Sequence, residues 1–116
     1  MISGYGAAAD DWALQWGALR EVGCRVVSLD RRWAGSSGRP PYGLRMSRGG
    51  EDVRELITHL GLEDVLLVGQ SMGASHIWAS EHARATAGLS PLTCAAVVAG
   101  AGHAAHLDEP AAVNEC

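Results

Sequence analysis

The chain has 116 residues, 47 % of them apolar and 19 % charged, and a formal net charge of −4. This composition excludes a disordered polymer, and the length supports one domain over residues 1–116 with a modest core. The acidic balance gives no support to a nucleic-acid role, and no apolar run reaches the roughly 18 residues of a membrane span. Cys24, Cys94 and Cys116 are widely spaced and odd in number, which matches neither a disulfide framework nor a zinc pattern. They suit a reducing, cytoplasmic compartment, and no signal peptide is readable after Met1. Phe is absent, so the core must be built from small aliphatic side chains and Trp.

Taken in order, Ile2 reads as the last residue of a strand whose start is missing, and Ser3-Gly4-Tyr5-Gly6 as a turn. Asp10 or Asp11 can cap a helix running to about Val22, with Trp12, Leu14, Trp16, Leu19 and Val22 as its apolar positions and Gly23 as its end. Residues 24–29 read as a buried strand carrying Val26, Val27 and Leu29, closed by Asp30. Residues 31–50 form a long loop of Gly, Ser, Pro and Arg. Residues 51–60 are amphipathic, with Val53, Leu56, Ile57 and Leu60 at helical spacing and Gly61 as the C-terminal stop. Residues 65–68 are a second strand, and a helix follows from Ser71 to about Ala87. Gly88 and Pro91 break the chain, and residues 95–99 read as a third strand. Gly100-Ala101-Gly102-His103 is a turn, and Asp108-Glu109-Pro110 begins a last helix. Strands alternating with helices predict an α/β fold with a short, mainly parallel sheet.

The most specific stretch is Val65-Leu66-Leu67-Val68-Gly69-Gln70-Ser71-Met72-Gly73-Ala74. Four β-favouring residues run into Gly-x-Ser-x-Gly, and a helical run follows. Such a pattern puts Ser71 at the tip of a strained strand-to-helix turn, where Gly69 and Gly73 permit close backbone approach. The helix N-terminus is then aimed at the serine, and the Met72 N–H points to where negative charge develops in acyl transfer.

Together with that turn, three further pieces resemble the α/β-hydrolase superfamily, in family order. Closest in character are its small esterase, lactonase and cofactor-free haloperoxidase-like members. Ser3-Gly4-Tyr5-Gly6 is similar to the family's oxyanion loop, His-Gly-x-Gly, with Ser3 in place of His. Residues 25–40 are similar to its strand followed by Asp-x-x-Gly-x-Gly-x-Ser, with Trp33 and Ala34 replacing the usual Gly-His before Gly35. Gly100-Ala101-Gly102-His103 with Leu107-Asp108-Glu109-Pro110 resembles the loop of the catalytic His and the helix after it. The resemblance implies a reduced three-layer α/β-hydrolase-like domain without a cap or the usual acid loop. Only 32 positions separate Ser71 from His103, and Glu81 is the one acidic residue between them.

The activity so implied is a serine hydrolase acting on small carboxylic esters or lactones. Ser71 is the nucleophile, His103 the base, and the backbone N–H groups of Tyr5 and Met72 form the oxyanion hole. No acid is assigned, with Asp108 and Asp30 as substitutes better read as structural residues, and His106 is a rival base. No cofactor or metal is expected. His76 with His82, and His103 with His106, have no acidic or Cys partner at ligand spacing. The expected partner is a small-molecule substrate, with no nucleic acid and no membrane, and exposed sheet edges would allow copies to pair. Two other readings exist. One is a non-catalytic remnant serving as an interaction module. The other is an NADP-binding oxidoreductase fragment, since Gly4-Tyr5-Gly6-Ala7-Ala8-Ala9 fits G-x-G-x-x-A and Asp30, Arg31 and Arg32 follow about 20 residues later. The Arg31-to-Arg48 cluster reads mainly as a solvated surface, or as an attractor of an anionic substrate.

Overall fold

The computed structural model describes residues 1–85 and 98–115. A 3-10 turn, Ala9–Trp12, leads into α1, Ala13–Glu21; then come α2, Met46–His59, α3, Met72–Ala85, α4, Ala105–Asp108, and α5, Pro110–Glu115. Among the described residues the expected sheet reduces to two isolated bridges, both parallel, joining Ile2 to Leu29 and Ile2 to Gly69. Ile2 therefore lies between the other two segments. Its N–H donates to the Val68 carbonyl at 2.9 Å, its carbonyl accepts from Gln70 N–H at 3.1 Å, and Leu29 N–H donates to Met1 at 3.0 Å. Residues 24–29, expected as a buried strand, are instead exposed at Cys24 and Arg25 and half-buried from Val26 onward. Most of the third expected strand, residues 95–99, lies outside the described residues.

The order Leu29–Ile2–Gly69 has a consequence for the helices. From Ile2 the chain moves one way across the bridged segments, through α1; from Leu29 it returns past Ile2, through α2. Parallel crossovers are right-handed, so two crossovers in opposite directions put their helices on opposite faces. The packing agrees. Among the described residues α2 packs on α3, while α1 packs on α4, α5 and the 3-10 turn, and the two groups do not touch each other.

Across the 3-10 turn and α1 the buried positions are Trp12 and Gln15, both 2 % exposed, with Trp16 and Leu19 half-buried. That is the i, i+3, i+4, i+7 stripe of one helix face. Leu14, which falls outside the stripe, and Val22, at the C-cap, are 55 % and 75 % exposed. Asp11 accepts the Ala8 N–H, and Gly23 closes the helix at φ +87°. The α2 helix begins five positions before the expected Glu51. Gly49 and Gly50 are poor helix formers, but packing overrides that propensity. A Cβ on Gly50 would lie 2.7 Å from Ser80 N, and one on Gly49 would lie 2.6 Å from the His76 ring. The glycines let α2 and α3 approach closely. Gly61 ends α2 as expected, at φ +57°. Its N–H donates to Thr58 and that of Leu62 to Ile57, the paired bonds of a Schellman cap.

The C-terminal segment with α4 and α5 folds back on α1. His106 stacks on Trp12 with ring centroids 4.2 Å apart, and Gln15 Nε2 donates to the His106 carbonyl at 2.8 Å. The last helix starts at Pro110, as the Asp-Glu-Pro signal predicts, but the separate turn α4 before it was not expected. Among the described residues no helix is long and apolar enough to cross a membrane.

Candidate active site

Ser71 stands between the Gly69 bridge and the first residue of α3, at φ +52°. A non-glycine residue in the left-handed region is uncommon and costs roughly 1–2 kcal/mol. Crowding on both sides enforces the conformation. A Cβ on Gly69 would sit 2.7 Å from Ala74 N, and one on Gly73 would meet the Ile2 carbonyl and lie 2.9 Å from the Ser3 oxygen. The α3 N-terminus is thus pressed against the Ile2 segment, and the Ser71 side chain is pushed outward, where it is exposed.

The Ser3-Gly4-Tyr5-Gly6 turn lies alongside. A Cβ on Gly4 would be 3.0 Å from Ser71 Cβ. The turn and Ser71 follow neighbouring parallel segments whose connections leave toward opposite faces, which is the crevice where open α/β sheets place ligands. Neither the Tyr5 nor the Met72 backbone N–H donates a hydrogen bond among the described residues. Met72 opens α3, so its N–H belongs to the unpaired first turn of a helix.

His103 is exposed, and its carbonyl accepts from Gln70 Nε2 at 3.0 Å, which brings the His103 turn against the residue preceding Ser71. No hydrogen bond joins Ser71 Oγ to the His103 ring among the described residues. Asp108 accepts the Gly102 N–H at 2.8 Å and so shapes that turn from below. The Ser3-Gly4-Tyr5-Gly6 turn, the Ser71–Met72 turn and the backbone of the His103 turn are therefore neighbours.

The other candidates have different roles. His106, the rival base, is 5 % exposed and stacked on Trp12, far from solvent. Burial holds its pKa below the ordinary value, against weaker raising effects from Asp11 and Asp108. Asp30 accepts from Ala9 N–H at 2.8 Å and Ser36 N–H at 2.9 Å, and those bonds lower its pKa. It anchors the loop after it, as expected. Trp33 takes φ +66°, the conformation that glycine gives without strain, and its indole N–H donates to Pro40. His76 is 7 % exposed, and burial, helped by the nearby Arg31 charge and opposed by Asp52, lowers its pKa, while the His82 side chain lies outside the described residues. No group of three His, Cys, Asp or Glu residues is placed to hold a metal among the described residues.

Two arginines of the cluster are paired with acidic residues of α2. Arg32 pairs with both oxygens of Asp52, at 2.5 and 2.8 Å, and Arg48 reaches Asp52, Glu51 and Glu55. Those cations lower the Asp52 pKa, and the phosphate-binding role of the dinucleotide reading finds Arg32 already occupied. Arg31 differs. It is 9 % exposed, and its guanidinium donates to the carbonyls of Ser3, at 2.8 Å, and Gly4. Nothing in the one-dimensional pattern distinguishes it from its neighbour Arg32. Gln70, the variable position of Gly-x-Ser-x-Gly, was likewise invisible as a link between Gly4 and His103. A cavity of about 830 Å³ opens beside the crevice, lined among others by Tyr5, Arg31, Trp33, Leu44, Met72 and His76.

Comparison with known proteins follows the same lines. A non-heme haloperoxidase of Rhodococcus erythropolis is 37 % identical over 74 residues, which is 64 % of this chain and 27 % of that protein. A non-heme chloroperoxidase of Kitasatospora aureofaciens is 34 % identical over 76 residues, 66 % of this chain and 28 % of that protein. A bifunctional esterase/perhydrolase of Acinetobacter calcoaceticus is 32 % identical over 74 residues, 64 % of this chain and 27 % of that protein. The chain thus spans about a quarter of the length of the curated relatives it matches. No solved structure matches it. Residues 1–97 match the model of the alpha/beta hydrolase family, and the chain belongs to that family.

Proposed function

We propose that the chain is a serine hydrolase of small carboxylic esters or lactones, working through a Ser71 acyl-enzyme with His103 as base. The observation that carries this reading is the left-handed Ser71, exposed at the start of α3 between two glycines that admit no Cβ. In the reaction, Ser71 Oγ attacks the ester carbonyl carbon while a His103 ring nitrogen takes the hydroxyl proton. The carbonyl oxygen becomes an oxyanion and accepts from Tyr5 and Met72 N–H. Collapse breaks the ester C–O bond, and the imidazolium returns its proton to the departing alkoxide. Water, deprotonated by the same imidazole, then attacks the acyl carbon and frees the acid and Ser71. Hydrogen peroxide in place of that water would release a peracid, a variant favoured by the perhydrolase and haloperoxidase names of the relatives.

The neighbouring cavity suits a short acyl or alkyl group, and no cap element is needed for a small ester to reach the crevice. The test is pre-steady-state release of p-nitrophenol from p-nitrophenyl acetate. A burst that vanishes in Ser71→Ala supports the reading, and equal traces from the two proteins refute it. A second reading, an interaction module without turnover, is favoured by Leu66, 76 % exposed close to the Gly69 bridge. It predicts no burst and self-association of copies through sheet edges.

A further inference from the structure

We propose that Arg31 is the positioning residue of the oxyanion hole: its buried guanidinium fixes the Gly4–Tyr5 peptide so that the Tyr5 N–H faces the reacting carbonyl oxygen. The proposal rests on the hydrolase reading above. A trans peptide unit is planar, and its C=O and N–H point in opposite directions. Holding the Gly4 oxygen on one side therefore directs the Tyr5 N–H to the other. Arg31 holds it from its Nη2, while its Nε donates to the preceding carbonyl, Ser3, at 2.8 Å. Two successive carbonyls gripped by one planar fork leave the turn little freedom to rotate. The remaining arm, Nη1, lies 3.2 Å from the Met72 sulfur, so the same side chain holds the peptide that carries the Tyr5 N–H and touches Met72, the second donor residue.

The charge matters as well as the shape. No carboxylate pairs with Arg31 among the described residues, whereas its neighbour Arg32 takes both oxygens of Asp52. A buried cation without an anion is costly, and here backbone carbonyl dipoles supply the compensation. A cation on the Gly4 oxygen draws electron density from that peptide, which strengthens its N–H as a donor. The flanking glycine is required by the same arrangement, since a Cβ on Gly4 would strike Gln70 Oε1 and crowd Ser71 Cβ at 3.0 Å. Arg31 thus acts on the oxyanion through the backbone of its neighbours.

The test compares wild type, Arg31→Lys and Arg31→Met with a p-nitrophenyl ester and its thionoester, in which sulfur replaces the carbonyl oxygen. Oxyanion donors favour oxygen, so the oxygen-to-sulfur ratio of kcat/KM reports on the hole itself. Loss of one aligned donor costs about 100- to 1000-fold in kcat. The expected result for Arg31→Met is a fall of roughly 10- to 100-fold in kcat on the oxygen ester, KM nearly unchanged, and a smaller oxygen-to-sulfur ratio. Arg31→Lys keeps the charge and loses the fork, so it should fall between, and circular dichroism confirms folding of each variant. A folded variant with wild-type kcat and ratio overturns the role. So does a change in KM alone, which would make Arg31 a site for an anionic substrate. A wild-type protein that neither hydrolyses the ester nor reacts with a fluorophosphonate overturns the hydrolase reading and this role together.

Discussion

The Gly73→Ala substitution probes the contact that sets the serine turn. A Cβ there would meet the Ile2 carbonyl oxygen, lie 2.7 Å from the Ile2 carbonyl carbon and 2.9 Å from the Ser3 oxygen. All three obstacles are backbone, so no side chain can swing away. Relief requires α3 to move off the Ile2 segment by several tenths of an ångström or more. Overpacking of this kind costs about 1–3 kcal/mol. For a domain of this size that lowers Tm by roughly 4–15 °C. The same movement carries Ser71 and Met72 away from the Ser3-Gly4-Tyr5 turn, and misplacement of reacting groups by about 1 Å can cost 100-fold in rate. Thermal unfolding followed by circular dichroism reads the first effect, and the rate of fluorophosphonate labelling reads the second. A variant with wild-type Tm and labelling rate would refute the claim that the α3 N-terminus is locked against the Ile2 segment.

Gly17→Ala is the contrasting case. Gly17 lies inside α1 with nothing near its missing Cβ, so alanine should raise stability by about 0.5–1 kcal/mol and leave labelling unchanged. The buried histidines predict a pH dependence. Burial holds His76 and His106 below the ordinary value of 6.5, so the unfolded chain binds more protons than the folded one just under that pH. Stability should therefore decline as pH falls through 6.5, and replacing both residues with glutamine should flatten a urea-midpoint profile between pH 7 and 5. Asp30 and Asp52 carry lowered pKa values, so their stabilisation is complete above the ordinary 3.8 and is lost as pH falls below it. Asp30→Asn should flatten the acid limb of the same profile.

The serine turn was readable because one local pattern determines it. Gly69, Ser71 and Gly73 are within five positions of each other, and a Cβ on Gly69 would lie 2.7 Å from the Gly73 carbonyl carbon. Gly61 was readable for the same reason, since a Schellman cap is local. The start of α2 was not. Gly49 and Gly50 look like loop residues until α3 arrives to occupy the space above them. Likewise Gln15 looks like a surface residue of α1 until the His106 turn, 91 positions away, covers it. Arg31 is the clearest case. Its role depends on carbonyls 27 and 28 residues earlier, and no spacing rule separates it from Arg32, which serves an ion pair instead.

The central claim, that Ser71 is an activated nucleophile at this crevice, is tested most directly by intact-protein and peptide mass spectrometry after fluorophosphonate treatment. One phosphonyl group per chain, located on Ser71 and absent from Ser71→Ala, is the predicted result. An unmodified chain, or a label placed on another residue, would contradict it.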